Sequence, residues 1–148
     1  MAEFTVDVSI NRPVKEVWDY TANFDNAPHW IKEIGAMSKL TPGPAGVGSK
    51  FKEVRRMAGM TSEVELEITE WSPPQSLNVK VTAKGMSGSA HITFKPTKDG
   101  GAHVTQTMAV QFSGFMKLIG PMAMGTMRKG EQRAYDKLKE VLESTSEK

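Results

Sequence analysis

The chain alternates apolar and polar positions over several segments, a pattern typical of strands with one buried face. In the first segment, Phe4, Val6, Val8 and Ile10 point to one side and polar residues point to the other. A period of two predicts a half-buried strand. The same alternation recurs further along the chain, weakly at 36–41 and clearly at 49–57, 60–71, 77–83, 90–94 and 104–112. The pattern therefore predicts about six or seven strands.

Helical spacing appears on either side of these later strands. The segment 11–13 (NRP) closes the first strand and opens a helix in which Val17 and Trp18 share a face. Proline suits the first turn of such a helix. A short second helix is expected at 28–34. After residue 113 the apolar period changes to three and four residues, which predicts a long C-terminal helix. Its stripe runs through Met124, Met127, Glu131, Ala134, Leu138 and Val141.

This order of elements indicates how the chain folds. An antiparallel sheet has to cover its inner face, and the helices at the two ends of the chain are available to do so. The elements predict an α+β fold. In it, a curved antiparallel sheet of about six or seven strands wraps around the long C-terminal helix, with two short helices after the first strand. With 148 residues and no repeat or linker, we expect a single domain spanning 1–148.

Composition excludes several functions. The formal net charge is only +2, and the basic groups at 50–56 and 128–129 are interrupted or followed by Glu53 and Glu131. No nucleic-acid-binding stripe is therefore expected. The chain has no cysteine, which rules out disulfides and thiolate chemistry. No run approaches the roughly 18 apolar residues of a membrane span, and the start lacks the pattern of a signal peptide. We expect a cytoplasmic protein without stable membrane insertion.

A family resemblance rests on four short sequence segments, namely VSINRP at 8–13, PHW at 28–30, ITEWSPP at 68–74 and LKEVLE at 138–143. With the order of elements, they resemble the SRPBCC superfamily of START-like, helix-grip proteins, particularly its polyketide cyclase/dehydrase and lipid-transport branch. The resemblance implies a cavity between the sheet and the long helix, open near the start of that helix. Such a cavity would bind a small hydrophobic molecule such as a lipid, an isoprenoid or a polyketide. No cofactor is expected.

The fold alone does not choose among the activities of this superfamily. A carrier or sensor without enzyme activity is favoured, because the inward positions are overwhelmingly apolar and no nucleophile–base pair is visible. A cyclase or dehydratase acting on a similar ligand is one alternative. A protein-interaction module resembling chaperone activators, with the methionine-rich helix start as its contact, is another.

The residues expected to contact the ligand share the inward parity of their strands or lie near the opening. They are Trp30, Phe51, Met57, Leu66, Val79, Val81, Ile92, Gln106, Met108, Val110, Phe112, Phe115, Met124 and Met127. Gln106 is the polar member of this set. Its amide could orient a ligand carbonyl or hydroxyl, as a few placed polar groups do in most pockets, or a neighbouring group could satisfy it.

Glu53, Glu70 and Gln106 are the candidates for catalysis. If Phe51 faces inward, Glu53 and Arg55 share its parity, and an ion pair of the two would lie in the cavity wall. A bulge in this strand would reverse the assignment. Glu70 has the inward parity of its strand but stands at the strand's end, where water can reach it.

The histidines are expected to be solvated or structural. Alternation turns His91 and His103 away from the apolar face, and His29 lies near the expected rim of the cavity. They have no metal-ligand spacing and no acidic partner in phase, so no metal site is expected.

Four glycines lie in and just before the start of the last helix, at Gly114, Gly120, Gly125 and Gly130. The chain also contains ten methionines. Each interior glycine costs a helix about 0.8–1.0 kcal/mol relative to alanine. We interpret the segment as a loosened, methionine-lined gate for the ligand. Close packing of the helix on the sheet and a homodimer contact through the surplus apolar face are the alternatives.

Overall fold

The structure, a computed structural model, describes residues 2–57 and 59–145. Within this part of the chain, seven strands form one antiparallel sheet in the order β1-β7-β6-β5-β4-β3-β2. The strands are β1 (Ala2–Ile10), β2 (Ile34–Lys39), β3 (Lys50–Met57), β4 (Met60–Ser72), β5 (Ser76–Ala83), β6 (Met86–Pro96) and β7 (Ala102–Phe112).

Helices precede and follow this run of strands. They are α1 (Val14–Thr21), α2 (Ala27–Trp30), α3 (Met116–Ile119) and α4 (Met124–Thr145), with 3₁₀ turns at Phe24–Asn26 and Gly120–Ala123. The predicted α+β helix-grip fold is confirmed. The second short helix ends at Trp30 and does not reach 34, because Ile31 already has extended backbone angles (φ −109°, ψ 99°) and Ile34 begins β2.

The C-terminal half of α4 is fastened along the edge strand β1. Lys139 Nζ donates a hydrogen bond to the backbone oxygen of Ser9 at 2.9 Å. The backbone N–H of Asn11 donates to Glu143 Oε2 at 2.8 Å. These bonds join the first strand to the last helix and fix the direction in which α4 crosses the sheet.

Aromatic rings fill the core beneath α1. Trp18 from α1 packs edge-on against Trp71 and Phe94, with ring centroids 5.1 Å away in each case. Aromatic pairs in this geometry stabilise a core beyond the area that they bury. Leu138 from α4 belongs to the same core and is 0% exposed. The two faces that periodicity assigned to the core, on α1 and on α4, therefore meet in one apolar cluster.

A bulge in β4 changes which of its side chains face the core. The register with β5 shifts between Ile68 and Glu70, so Thr69 is an extra residue. Beyond it, Trp71 turns inward. Glu70 lies on the outer face, where it accepts a hydrogen bond from Ser76 Oγ at 2.6 Å. The inward parity expected for Glu70 is therefore wrong, because simple alternation does not survive an inserted residue.

Leu138→Ala should destabilise the fold by about 2–5 kcal/mol, because it leaves a cavity in a fully packed core. Leu118→Ala is the matched control. Leu118 lies on the surface, and its truncation should change the free energy of unfolding by less than about 0.5 kcal/mol. Urea unfolding followed by tryptophan fluorescence measures both. Similar effects of the two substitutions would contradict the packing of α4 on the core.

Candidate functional site

The inner face of the sheet is almost entirely apolar. The strand residues that were expected to line a cavity are buried there, namely Phe51, Leu66, Val79, Val81, Ile92, Gln106, Met108, Val110 and Phe112. The side chain of Met57 lies outside the described residues. The burial agrees with the inward parity predicted for these strands, and contact with a ligand stays a prediction. We call the space between this face and α4 the grip.

The grip is packed tightly at one end and more loosely at the other. Beneath α1, Leu77 and Val104 are 0% exposed. Toward the start of α4, Met108 is 9% exposed and Phe112 is 8% exposed. All four of these side chains are buried, so the inner face itself is closed at both ends. The end toward the start of α4 is called the looser end because the α4 side chains that cover it are only half-buried.

The chain that leads into α4 adjoins this looser end. Gly120 is buried, and a Cβ at this position would overlap the ring of Phe112. Met124 and Met127, at the start of α4, are half-buried and pack against the core. Phe115, by contrast, is 72% exposed. Its expected place in the cavity wall is wrong, because the turn after β7 directs its side chain to solvent.

A cluster of one buried and two half-buried charged side chains lies in the wall of the grip. β3 pairs with β4 without a register shift, so Glu53 and Arg55 face inward together with Phe51. Arg55 Nε lies 3.1 Å from Glu53 Oε1, and Arg55 Nη1 lies 3.9 Å from Glu131 Oε1 on α4. We call Glu53, Arg55 and Glu131 the charged cluster. It links the sheet and the helix across the grip.

Burial raises the pKa of both carboxylates of this cluster, and repulsion adds to the rise at Glu131. Burial raises the pKa of Glu53, and the Arg55 guanidinium opposes that shift only in part. Burial also raises the pKa of Glu131, with added repulsion from Glu53 and Glu33. Burial works against the charge of Arg55, but the surrounding carboxylates outweigh it and raise its pKa. One permanent cation thus faces carboxylates that hold their protons more firmly than exposed ones.

Two hydrogen-bond donors near the cluster are unused. Tyr135 Oη donates to Gln106 Oε1 at 2.7 Å, and burial raises the pKa of Tyr135 well above its usual value, which keeps the phenol protonated. Gln106 Nε2 and Trp30 Nε1 are buried without a hydrogen-bond partner among the described residues. A hydrogen-bonding influence of the Gln106 side chain lowers the pKa of Glu131 and so opposes part of the effect of burial, although the amide makes no hydrogen bond of normal geometry. Trp30 packs on Tyr135 with ring centroids 5.1 Å apart.

A groove of about 260 Å³ between α2 and α4 borders the same residues. Trp30 and Glu33 line one side, and Gly130 and Arg133 line the other. Arg133 Nη2 lies 3.8 Å from Glu33 Oε2. A Cβ at Gly130 would meet its nearest neighbours, on Glu33 and Arg133, only at 3.8 Å. Glycine is not required at this position by crowding, and its lack of a side chain keeps the groove wide.

The histidines lie away from the cluster. His29 is exposed and lines the groove between α2 and α4. His103 faces outward as expected, but its ring contacts Ser9 Oγ at 2.8 Å and Asp7 Oδ2 at 3.1 Å. The expectation of no acidic partner is wrong for His103. The partner comes from the neighbouring strand β1, which the parity of a single strand does not reveal.

Residues 2–57 and 59–145 form neither a recognisable metal site nor a membrane-spanning helix. No group of three or more His, Asp or Glu residues in these ranges is arranged to hold a metal ion. No helix formed by these residues is long and apolar enough to cross a membrane.

Comparison with known proteins agrees with this architecture. The model of the family described as "Polyketide cyclase / dehydrase and lipid transport" matches residues 1–143. The chain belongs to this family. The resemblance to SRPBCC proteins is thereby confirmed. An uncharacterized protein of Mycobacterium tuberculosis (strain ATCC 25618 / H37Rv) is 25% identical over 144 residues, which cover 94% of this chain and 96% of that protein.

Solved structures with the same fold come from other bacteria. A START superfamily protein of Mycobacterium smegmatis superimposes with a TM-score of 0.83 at 12% identity, covering 97% of this chain and 99% of that one. A conserved protein of Geobacillus kaustophilus gives a TM-score of 0.80 at 16% identity and covers 97% of each chain. At these identities the likeness shows the helix-grip fold that the family shares.

Three functional candidates were missed by sequence reasoning. Glu131 stands on the apolar stripe of α4, and a carboxylate in that position was an available signal. Tyr135 adjoins this stripe in the sequence, and nothing in the sequence indicates the contact of its hydroxyl with Gln106. Glu33 lies between α2 and β2, in a segment that was assigned to a helix.

Removal of the Arg55 guanidinium should destabilise the fold by about 3–5 kcal/mol, because it leaves buried carboxylates without their cation. The matched control is Arg56→Ala, at the next position of β3 and exposed. It should change the free energy of unfolding by less than about 0.5 kcal/mol. Urea unfolding of Arg55→Ala and Arg56→Ala at neutral pH makes the comparison. Equal effects would contradict the role of Arg55 in neutralising the cluster.

Glu131→Gln should change how stability depends on pH. Burial raises the pKa of Glu131, so above the ordinary glutamate pKa of about 4.3 the folded state binds more protons than the unfolded state. The contribution of Glu131 to stability therefore falls as the pH rises through the window between these two pKa values. A glutamine at this position does not titrate, so it does not lose stability over this pH range.

The stability of Glu131→Gln relative to the parent protein should consequently improve as the pH rises above about 4.3, the ordinary glutamate pKa. Urea unfolding of both proteins at several pH values measures this difference. A difference that is constant with pH, or that widens in favour of the parent protein, would contradict a raised pKa at Glu131.

Proposed function

We propose that the protein binds a small, mainly apolar molecule in the grip and holds one polar end of it beside the charged cluster. The observation that carries the proposal is the pair of buried donors, Gln106 Nε2 and Trp30 Nε1, that have no partner among the described residues. Buried polar groups are nearly always hydrogen-bonded. Unused donors in an apolar interior are therefore suited to the oxygen acceptors of a ligand.

The apolar part of the ligand would contact the looser end of the inner face. Leu66, Met108 and Phe112 supply flat and flexible apolar surface there. Apolar walls with a few placed polar groups are typical of small-molecule sites. Membership of a family named for polyketide chemistry and lipid transport supports a ligand with a large hydrocarbon part.

The charge of the cluster restricts the polar end of the ligand. Glu53 and Glu131 share the cation of Arg55, whereas the nearby Glu33 has a cation of its own in Arg133. A carboxylate or phosphate on the ligand would meet negative charge in a poorly solvated place. A neutral ketone, alcohol or phenol can accept a hydrogen bond from Gln106 without this repulsion. We therefore favour a neutral polyketide-like or isoprenoid-like molecule over a free fatty acid.

A proton-transfer enzyme is the second candidate function. Burial raises the pKa values of Glu131 and Glu53, and a carboxyl group that holds its proton more firmly than an exposed one is suited to act as a general acid. In a dehydration or cyclisation, such an acid would protonate the departing hydroxyl or the carbonyl under attack. Turnover of a bound ligand that Glu131→Gln abolishes without weakening binding would favour the enzyme over the carrier.

The experiment begins with native mass spectrometry of the freshly purified protein and solvent extraction of any bound molecule. Binding is then compared for ligands that share one hydrocarbon chain and end in an alcohol, a ketone, a carboxylate or a methyl group. We expect the alcohol and ketone to bind at least about tenfold more tightly than the carboxylate, which corresponds to about 1.4 kcal/mol.

Gln106→Leu tests the polar contact directly. It should weaken alcohol and ketone binding by roughly fivefold, the value of one hydrogen bond, and leave the methyl-ended ligand unchanged. Thr105→Val, on the outer face of β7, is the control and should alter none of these affinities. Tightest binding of the carboxylate, or equal loss for all ligands in Gln106→Leu, would contradict the proposed recognition. Failure of every ligand to bind would contradict the carrier function itself.

A further inference from the structure

Four large apolar side chains on α3 and the adjoining turns are exposed to solvent. Phe115, Leu118 and Met122 are 72%, 73% and 82% exposed, and Ile119 is 44% exposed. We call these four residues the α3 patch. Scattered apolar residues are common on protein surfaces, but a contiguous group of this kind marks an interaction site.

The α3 patch is held in place by contacts on its opposite side. Gly120 lies so close to the ring of Phe112 that a Cβ there would overlap it. Met116 packs over Gly85, in the turn between β5 and β6. These two contacts occupy the inward side of the segment, so the α3 patch is directed outward by the packing of its neighbours.

The end of the sheet that carries the α3 patch is also strongly basic. Phe112 pairs with Met86, which places the start of α3 beside the β5–β6 turn. The β3–β4 turn lies at the same end, because the strands between them are antiparallel and adjacent. The exposed cations of this end are Arg56, Lys84, Lys117, Arg128 and Lys129.

The chain segments that form this end of the sheet contain no acidic residue. The stretches 56–62, 83–88 and 113–130 contain no Asp or Glu. Glu63, the next acid along β4, lies 3.1 Å from Lys52 Nζ. The apolar side chains are therefore surrounded by unopposed positive charge, in a protein whose formal net charge is only +2.

We propose that this end of the protein docks on the surface of an anionic lipid bilayer. The α3 patch would enter the boundary between headgroups and acyl chains, as the apolar face of an interfacial helix does. The surrounding Lys and Arg side chains would meet lipid phosphates, each favoured by the negative surface potential. A second copy of this chain fits the surface less well, because a face-to-face dimer would bring the basic groups of both copies together.

This proposal goes beyond the ligand site and does not depend on what the grip holds. It concerns a different surface, and its test needs no ligand. Met124 and Met127 follow the α3 patch directly, so docking would bring the looser end of the grip to the bilayer.

The test is co-sedimentation with vesicles made of phosphatidylcholine alone or of equal parts phosphatidylcholine and phosphatidylglycerol. We expect binding to the mixed vesicles only, with an affinity that falls as salt is added. The double variant Leu118→Glu, Met122→Glu should lose this binding. Val47→Glu is the matched control, because Val47 is 70% exposed in the loop at the opposite end of the sheet, and it should bind as the parent protein does.

A second variant separates charge from apolar contact. Lys117→Gln with Lys129→Gln keeps the α3 patch and should weaken binding, by roughly fivefold for each cation removed. Circular dichroism and thermal unfolding of all variants report on folding. Failure of the parent protein to bind mixed vesicles would overturn the proposal, as would equal losses in Val47→Glu. So would a stable dimer in sedimentation velocity that Leu118→Glu, Met122→Glu dissociates, because the patch would then be a protein interface.

Discussion

The guanidinium of Arg55 is the group on which the arrangement of the interior depends. Its side chain points from β3 into the grip, and it lies between Glu53 on its own strand and Glu131 on α4. A buried ion of either sign is costly unless its partners are close. The strand and the helix must therefore stay within reach of each other for the charges to remain compensated. On the far edge of the sheet, hydrogen bonds between β1 and the end of α4 impose a second tie. The helix is thus tied to the sheet at two places, at β3, beside one edge strand, and at β1, the opposite edge strand.

These two ties explain why the grip closes unevenly. The C-terminal half of α4 presents Leu138 and Leu142 to a core that Trp18 and Phe94 complete. The N-terminal half presents methionines and the carboxylate of Glu131. Methionine adapts to irregular spaces without defining one packing. Charged and adaptable groups thus occupy the end where α4 covers the sheet with half-buried side chains, and rigid apolar groups occupy the fully packed end.

Much of this architecture could be predicted from sequence because periodicity reports the face of an element directly. The alternation in β1 and β7 and the helical stripe of α4 predicted the sheet and the helix that covers it. The parity of β3 was ambiguous, since Phe51 and Val54 have opposite parities. The observed choice depends on Arg55 meeting Glu131, a partner 76 residues further along the chain (131 minus 55). The bulge at Thr69 and the contact of His103 with Asp7 likewise arise between strands. Single-strand patterns do not contain that information.

The bonds between β1 and α4 also determine the order in which the chain can complete its fold. Ser9 on β1 meets His103, 94 residues later, and Lys139, 130 residues later. At a synthesis rate of about 5–20 residues per second, a newly made β1 waits several seconds for the strand it pairs with and longer for its helix. During that interval its apolar face and both of its edges are unpaired. Long-range pairing of this kind folds slowly and leaves strand edges exposed. The first strand is therefore the part of the nascent chain most in need of protection from aggregation.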